Sequence, residues 1–96
     1  MAELTPRPAR LQLRLYIAGR APNSLKAVAN IKAIGDRHFP SNHDLEIVDL
    51  LKHPERALAD GVIVTPTLVR LLPLPIQKVV GNLSDTNQVV LALASE

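Results

Sequence analysis

Residues 62–85 read VIVTPTLVRLLPLPIQKVVGNLSD, an apolar stretch that contains three prolines and ends in Gly-Asn-Leu-Ser-Asp. This stretch fits two structures. Thr67–Leu72 is apolar enough for a strand, yet Thr65 and Pro66 also form an acceptable start for a helix. Residues 76–80 favour a strand because they are rich in β-branched side chains. The local sequence therefore leaves this half of the chain open between strands and short helices.

The segments on either side are equally undecided. Residues 55–60 follow Pro54 and precede Gly61, a pattern typical of a short helix. Residues 84–87 form a helix-capping sequence, but residues 87–94 mix strand-forming and helix-forming side chains. Two explanations remain open for these segments. One is the limited accuracy of single-sequence prediction, and the other is a chain with two folds of similar free energy.

The N-terminal half has a clearer pattern. Residues 11–18 alternate in polarity with the period of a strand. Asn23 or Ser24 is predicted to cap a helix that runs to about His38. Residues 45–51 predict a second strand, apolar enough to be largely buried. The inner face of the helix is predicted to consist of Ala27, Val28, Ile31 and Ile34. Strand, helix and strand together predict a βαβ unit with parallel strands.

Length and composition limit the classes of function. The 96 residues predict one domain at residues 11–96, preceded by a flexible arm at residues 1–10. The net charge is only +2 and aromatic residues make up 2%, so we expect no nucleic-acid partner. Neither a signal peptide nor a membrane-length apolar run is present, and we expect a cytoplasmic protein without membrane association. The lack of cysteine excludes disulfides, thiol catalysis and thiolate metal sites.

Polar residues that might carry chemistry do not form a catalytic or metal-binding pattern. The histidines are far apart in sequence and lack metal-ligand spacing. The acidic residues near the second strand have no implied catalytic partner, so we expect a solvated strand face. The serines are interpreted as helix caps because no base lies beside them. We therefore expect no metal, cofactor or catalysis from the residues His38, His43, His53, Asp44, Glu46, Asp49, Ser24 and Ser84.

The order strand, turn, helix, strand and then Thr65-Pro66-Thr67 resembles the thioredoxin fold. In redox members of that fold, a Cys-x-x-Cys motif lies in the turn before the first helix. The corresponding turn here, residues 19–24, reads GRAPNS and has no cysteine. The resemblance implies an α/β, thioredoxin-like domain, and the missing thiols argue against a thioredoxin-type enzyme.

Six short motifs, in their order and spacing, are similar to those of the KaiB family of circadian clock proteins. The likeness extends from about Leu11 to Leu93. The motifs are LYIAG at 15–19, APNS at 21–24, VDLLK at 48–52, TPTL at 65–68, LPLP at 72–75 and GNLSD at 81–85.

The resemblance implies a metamorphic protein. The family switches between a tetramer with element order βαββααβ and a thioredoxin-like monomer with order βαβαββα. The N-terminal βαβ unit is shared, and the segments that change correspond to the four left undecided above. We expect a homotetramer (or dimer) in the free state and the thioredoxin-like state in a complex. Because X-Pro isomerisation is slow, Pro66, Pro73 and Pro75 are predicted to slow the switch.

The resemblance also implies partners. The family's monomer binds the N-terminal ATPase ring of the hexameric kinase KaiC, and in cyanobacteria the complex then captures KaiA and displaces the sensor histidine kinase SasA. By position, Lys26, Arg70 and Lys78 match basic residues that contact KaiC. Taken alone, these three residues are interpreted as scattered solubilising charge. In a thioredoxin-like fold they are predicted to form one surface patch that steers an acidic partner.

The sequence departs from the family pattern in three places. Gln77 replaces a basic residue beside the predicted patch, Glu46 replaces a lysine on the strand that holds KaiA, and the acidic C-terminal tail is missing after Glu96. We therefore expect a non-enzymatic KaiB-type regulator of a KaiC-like hexamer, with KaiA or a sensor kinase as further candidate partners. The alternative is a SasA-like sensor or adaptor domain that acts in signalling or stress response.

Overall fold

The computed structural model describes residues 10–95. Of the predicted N-terminal arm, only Arg10 lies within the described residues, and its guanidinium forms an ion pair with Asp44 at 2.7 Å. The elements in chain order are β1 (Leu11–Ile17), α1 (Pro22–His38), β2 (His43–Asp49), a 3-10 helix (Pro54–Leu58), β3 (Thr67–Leu72), β4 (Gln77–Val80) and α2 (Thr86–Ala94).

The strands form one sheet in the order β2-β1-β3-β4. β1 and β2 are parallel, as the predicted βαβ unit requires, whereas β3 pairs antiparallel with both β1 and β4. The undecided second half therefore contains two strands and a closing helix. This is the thioredoxin-like order, with the 3-10 helix in the position of the middle helix. The alternative βαββααβ tetramer stays a prediction.

The main core lies between one face of the sheet and the two helices. Alternate residues of β1 point towards α1 because successive side chains of a strand face opposite sides. The predicted inner face of α1 is confirmed: Ala27, Ile31 and Ile34 are buried, and Val28 packs against them. The buried residues of this core are Leu11, Leu13, Leu15, Ala27, Ile31, Ile34, Leu68, Val79, Leu83, Val89 and Leu93.

The second strand is less buried than its sequence predicts. Only Val48 of β2 is buried, and Ile47 is partly exposed to solvent. The reason is that β2 lies at the edge of the sheet and has a single neighbouring strand. Its end also differs from the prediction, because the backbone N–H groups of Lys52 and His53 both donate to the carbonyl of Asp49 and turn the chain.

The start of α1 corrects the predicted cap. The N-cap residue is Ala21, which makes no side-chain capping bond, and neither Asn23 nor Ser24 caps the helix. Pro22 occupies the first helical position, where its missing N–H costs nothing. The helix thus begins earlier than predicted, and Ser24 lies inside its first turn. At the other end, α1 finishes at His38 as predicted.

Candidate partner-binding site

Arg70 is the central member of the predicted basic patch, and the structure buries it completely, with 0% of its surface exposed. Its Nη1 donates to the backbone carbonyls of Ala92, Leu93 and Ser95 at 3.3, 3.0 and 2.5 Å. Its Nη2 donates to the carbonyl of Pro75 at 2.7 Å. Arg70 therefore binds the chain's own backbone in this arrangement and does not reach the surface.

Lys26 and Lys78 are exposed, but they lie in different layers of the molecule. Lys26 is on α1, in the helix layer. Val79 points towards the helices, so the preceding Lys78 points to the opposite face of the sheet. There its Nζ lies 3.3 Å from the place that a Cβ on Gly61 would take. The prediction that Lys26, Arg70 and Lys78 form one surface patch is thus wrong, because Arg70 is buried and strand alternation places Lys78 on the face of the sheet opposite the helices.

The three prolines predicted to slow a fold switch all border β3. Pro66 immediately precedes the strand, while Pro73 and Pro75 lie in the turn between β3 and β4. Each follows a cis peptide bond. The carbonyl of Pro66 accepts a hydrogen bond from the N–H of Gly81 at 2.9 Å. Their role in a switch stays a prediction.

The turn before α1, which corresponds to the thiol motif of redox thioredoxins, is held by two side chains. Oδ1 of Asp49 accepts from the N–H groups of Gly19 and Leu51, both at 2.9 Å. The bonds from Leu51 and then Gly19 lower the pKa of Asp49. Oγ of Ser24 accepts from the N–H of Ala18 at 3.0 Å. Both polar side chains are thus occupied in fixing the backbone of the turn.

A polar network that the sequence does not predict joins β1 and β2 to the segment after the 3-10 helix. The hydroxyl of Tyr16 donates to Oδ2 of Asp60 at 2.5 Å, and Arg14 donates to the same oxygen at 2.9 Å. Arg14 also pairs with Glu46 at 2.7 Å, and Arg56 pairs with Glu46 at 3.0 Å. Asp44 and Glu46 of β2 are therefore paired with arginines and stay about half exposed, at 51% and 49%, which agrees with the predicted solvated strand face. Asp49, at the end of β2, accepts from backbone N–H groups instead.

The network shifts the protonation equilibria of its members. Arg56 and then Arg14 lower the pKa of Glu46, since both guanidiniums stabilise its ionised form. Burial raises the pKa of Tyr16, and its bond to Asp60 raises it further. Burial lowers the pKa of Arg14, but its bonds to Glu46, Tyr16 and Asp60 outweigh this effect and the net pKa is raised. The ionised arginines and Glu46 are therefore the stable forms at neutral pH.

Only part of this network has a signal in the sequence. Arg14 and Tyr16 are two residues apart on one strand, so they share a face. Asp60 lies 44 residues after Tyr16 and follows a 3-10 helix, and no local pattern links the two. Their meeting depends on how the connection between β2 and β3 folds back over the sheet.

Other features of the described residues do not form a metal or membrane site. Among residues 10–95, no group of three or more His, Cys, Asp or Glu side chains is placed to hold a metal ion. No helix in this part of the chain is long and apolar enough to cross a membrane. A shallow groove between the end of α1 and the start of α2 is lined by Ala33, Ile34, Arg37, His38, Thr86 and Asn87.

Comparison with solved structures shows the same fold in two groups of proteins. The N-terminal domain of Synechococcus elongatus SasA superposes with a TM-score of 0.72 at 24% identity, covering 100% of this chain and 96% of that one. Mitochondrial thioredoxin 3 from Saccharomyces cerevisiae superposes with a TM-score of 0.71 at 12% identity, covering 88% and 77%. At these identities the likeness shows the thioredoxin-like fold alone.

Comparison of sequences is more specific. The profile of the KaiB domain matches residues 14–94. The protein named circadian clock oscillator protein KaiB from Gloeothece citriformis is 41% identical over 81 residues, which cover 84% of this chain and 76% of that protein. The protein named KaiB1 from Synechocystis is also 41% identical over 81 residues, with 84% and 77% covered. The chain therefore belongs to the KaiB family of circadian clock proteins.

Proposed function

We propose that this chain is a clock regulator that binds the N-terminal ATPase ring of a KaiC-like hexamer and modulates its phosphorylation and ATPase cycle. The observation that carries this proposal is the KaiB match over residues 14–94, together with relatives that are 41% identical and named as clock oscillator proteins. The thioredoxin-like element order supports it, because this is the arrangement expected for the bound state.

The proposed contacts with the partner come from Lys26 and Lys78. Both are exposed, and exposed charges act mainly by steering an oppositely charged partner. Since they lie in different layers, we propose that the partner reaches around one edge of the molecule and contacts both. Arg70, which the family pattern also assigns to binding, contributes indirectly by holding the end of α2.

We further propose that the free chain forms the βαββααβ tetramer and adopts the thioredoxin-like order on binding, with Pro66, Pro73 and Pro75 at the borders of the rewritten segments. A role with KaiA has less support, because Glu46 stands where the family pattern has a lysine and pairs with two arginines. The proposed role is that of a cytoplasmic, non-catalytic binding protein without a cofactor.

The test is to mix the full chain with the KaiC-like protein from the same organism, in each nucleotide and phosphorylation state. We expect a complex whose affinity falls with added salt. Lys26→Ala and Lys78→Ala should weaken it, whereas Lys32→Ala, a matched exposed lysine on α1, should not. The absence of a complex in every state would contradict the proposal. Size-exclusion chromatography of the free chain over a range of concentrations tests the tetramer.

A second candidate function is that of a sensor or adaptor domain. The SasA N-terminal domain, whose fold covers 100% of this chain, favours it. The two candidates are separated by what co-purifies with the tagged chain from its own cells. Recovery of a KaiC-like ATPase supports the clock regulator, and recovery of a sensor histidine kinase without that ATPase supports the adaptor.

A further inference from the structure

A single guanidinium group joins three elements in the second half of the chain. Arg70 belongs to β3, Pro75 to the turn that follows, and Ala92, Leu93 and Ser95 to the end of α2. All of its acceptors are backbone carbonyls. The last carbonyls of a helix have no partners within the helix and carry the negative end of its dipole. Arg70 therefore caps α2 from a neighbouring strand.

The last turn of α2 is held by the burial of Leu93, by the packing of Ala92 against the core and by Arg70. The helix has nine residues, whereas an isolated helix needs about 12 to become even marginally stable. Only Val89 and Leu93 are buried, and Leu91 is exposed. Within residues 10–95, the side-chain hydrogen bonds that tie the end of this helix to another element all come from Arg70.

The attachment is also incompletely satisfied. Nε of Arg70 is buried and has no hydrogen-bond partner among the described residues. A buried donor without a partner favours any state in which water reaches it. The guanidinium is thus bonded through both Nη atoms, while its unpaired Nε favours states in which Arg70 is exposed to water.

We propose that Arg70 is a clamp that decides whether the last turn of α2, residues 92–95, stays docked on the sheet. The docking of that turn is coupled to the docking of the turn at Pro75, because this one side chain binds both. When the clamp opens, the end of α2 leaves the sheet as a unit while β1, α1 and β2 stay folded. This holds whether or not the chain binds a KaiC-like partner.

Native-state amide hydrogen exchange of the full chain tests the clamp. NMR contacts between Leu13 and Arg70 across β1 and β3 identify molecules in the arrangement described here. Arg70→Met keeps an unbranched side chain and removes all donors. We expect it to speed exchange in α2 relative to α1 by about tenfold or more, since a lost charged hydrogen bond is worth about this factor. In that variant, NMR contacts between Leu13 and the substituted side chain identify the molecules in which β1 and β3 are paired.

Two further variants make the result decisive. Arg70→Lys retains one cation with fewer donors and should speed exchange in α2 by a smaller factor. Arg56→Met removes an arginine from the opposite face and should leave the ratio of α2 to α1 exchange unchanged. Equal acceleration of both helices, or none, in Arg70→Met overturns the proposal. If Arg70→Met does not fold, an unchanged ratio in Arg70→Lys overturns it.

Discussion

The hydroxyl of Tyr16 donates a 2.5 Å hydrogen bond to Oδ2 of Asp60, 44 residues later in the chain. Tyr16 lies in β1, and Asp60 follows the 3-10 helix. The same carboxylate accepts from Arg14 at 2.9 Å. This pair therefore fastens the connection between β2 and β3 to the face of the sheet opposite the helices.

Titration of Tyr16 should report this contact directly, because it is the one tyrosine in the chain. Burial and Asp60 raise the pKa of Tyr16 above its ordinary value of 10.0. We expect the absorbance midpoint of the folded protein to lie above 10.0, and to fall in Asp60→Asn without returning fully, because burial remains. Asp44→Asn is the matched control and should leave it unchanged. An unmoved midpoint in Asp60→Asn would contradict the contact.

The same titration has a consequence for stability. Because the pKa of Tyr16 is raised in the folded state, the stability that it contributes is full below pH 10.0 and is lost as the pH rises through the folded value. We expect the wild-type chain to lose stability above pH 10.0 more steeply than Tyr16→Phe. Urea denaturation at several pH values measures the free energy of unfolding of both proteins. If the two free energies fall in parallel above pH 10.0, the prediction is wrong.

Glu46 should show the opposite dependence at acidic pH. Arg56 and Arg14 lower its pKa below the ordinary 4.5, so its contribution is present above pH 4.5 and is lost as the pH falls through the folded value. Urea midpoints of wild type and Glu46→Gln should differ at neutral pH and converge in acid. The effect is small because the side chain is half exposed. Glu55→Gln controls for the loss of one negative charge, and a gap that does not close in acid would be inconsistent with this account.

Ser24 should matter more to stability than Asn23, its neighbour in the predicted cap. Ser24 is buried and its Oγ accepts from the N–H of Ala18, whereas Asn23 is exposed. Ser24→Ala leaves that N–H unpaired, and we expect a loss of about 1–3 kcal/mol in the free energy of unfolding. Asn23→Ala should change it by less than about 0.5 kcal/mol. If chemical denaturation shows the same loss of free energy of unfolding in Ser24→Ala and Asn23→Ala, the prediction is wrong.

A side chain at Gly35 is predicted to be destabilising while His43 is present. A Cβ at Gly35 would lie 2.5 Å from Nε2 of His43, whose Nδ1 is held by a hydrogen bond with the carbonyl of Phe39. Gly35→Ala should cost about 1–3 kcal/mol from overpacking, reduced by about 1 kcal/mol of helix propensity. In a His43→Ala background the cost should shrink or change sign. Strict additivity of the two changes would contradict the contact.

The first half of the chain could be predicted because its patterns lie within single elements. The alternation in β1 and the inner face of α1 depend on residues two to four positions apart, and the structure confirms both. The burial of β2 could not be predicted in this way. Whether a strand is central or at an edge depends on the order of the whole sheet, and β2 is at the edge.

Arg70 shows why the site was harder to predict than the fold. An arginine in an apolar run is normally exposed or paired with a carboxylate, and the sequence near Arg70 offers no such partner. Its actual acceptors are backbone carbonyls, one of them 5 residues later and three of them 22 to 25 residues later, and a backbone carbonyl has no signature in the sequence. The ambiguity of residues 67–72 has a similar cause, because the unpaired edge of β1 decides that they form a strand.

The central place of β1 in the sheet has a consequence for newly made chains. Synthesis of β1, α1 and β2 is complete once Asp49 has been added. The strand that pairs with the other edge of β1 is β3, and its synthesis is complete only at Leu72. At about 5–20 residues per second, a ribosome needs roughly one to five seconds for that interval. During this time the nascent chain presents an open row of backbone donors and acceptors. The N-terminal βαβ unit is therefore most exposed to mispairing with another strand in the interval before β3 docks.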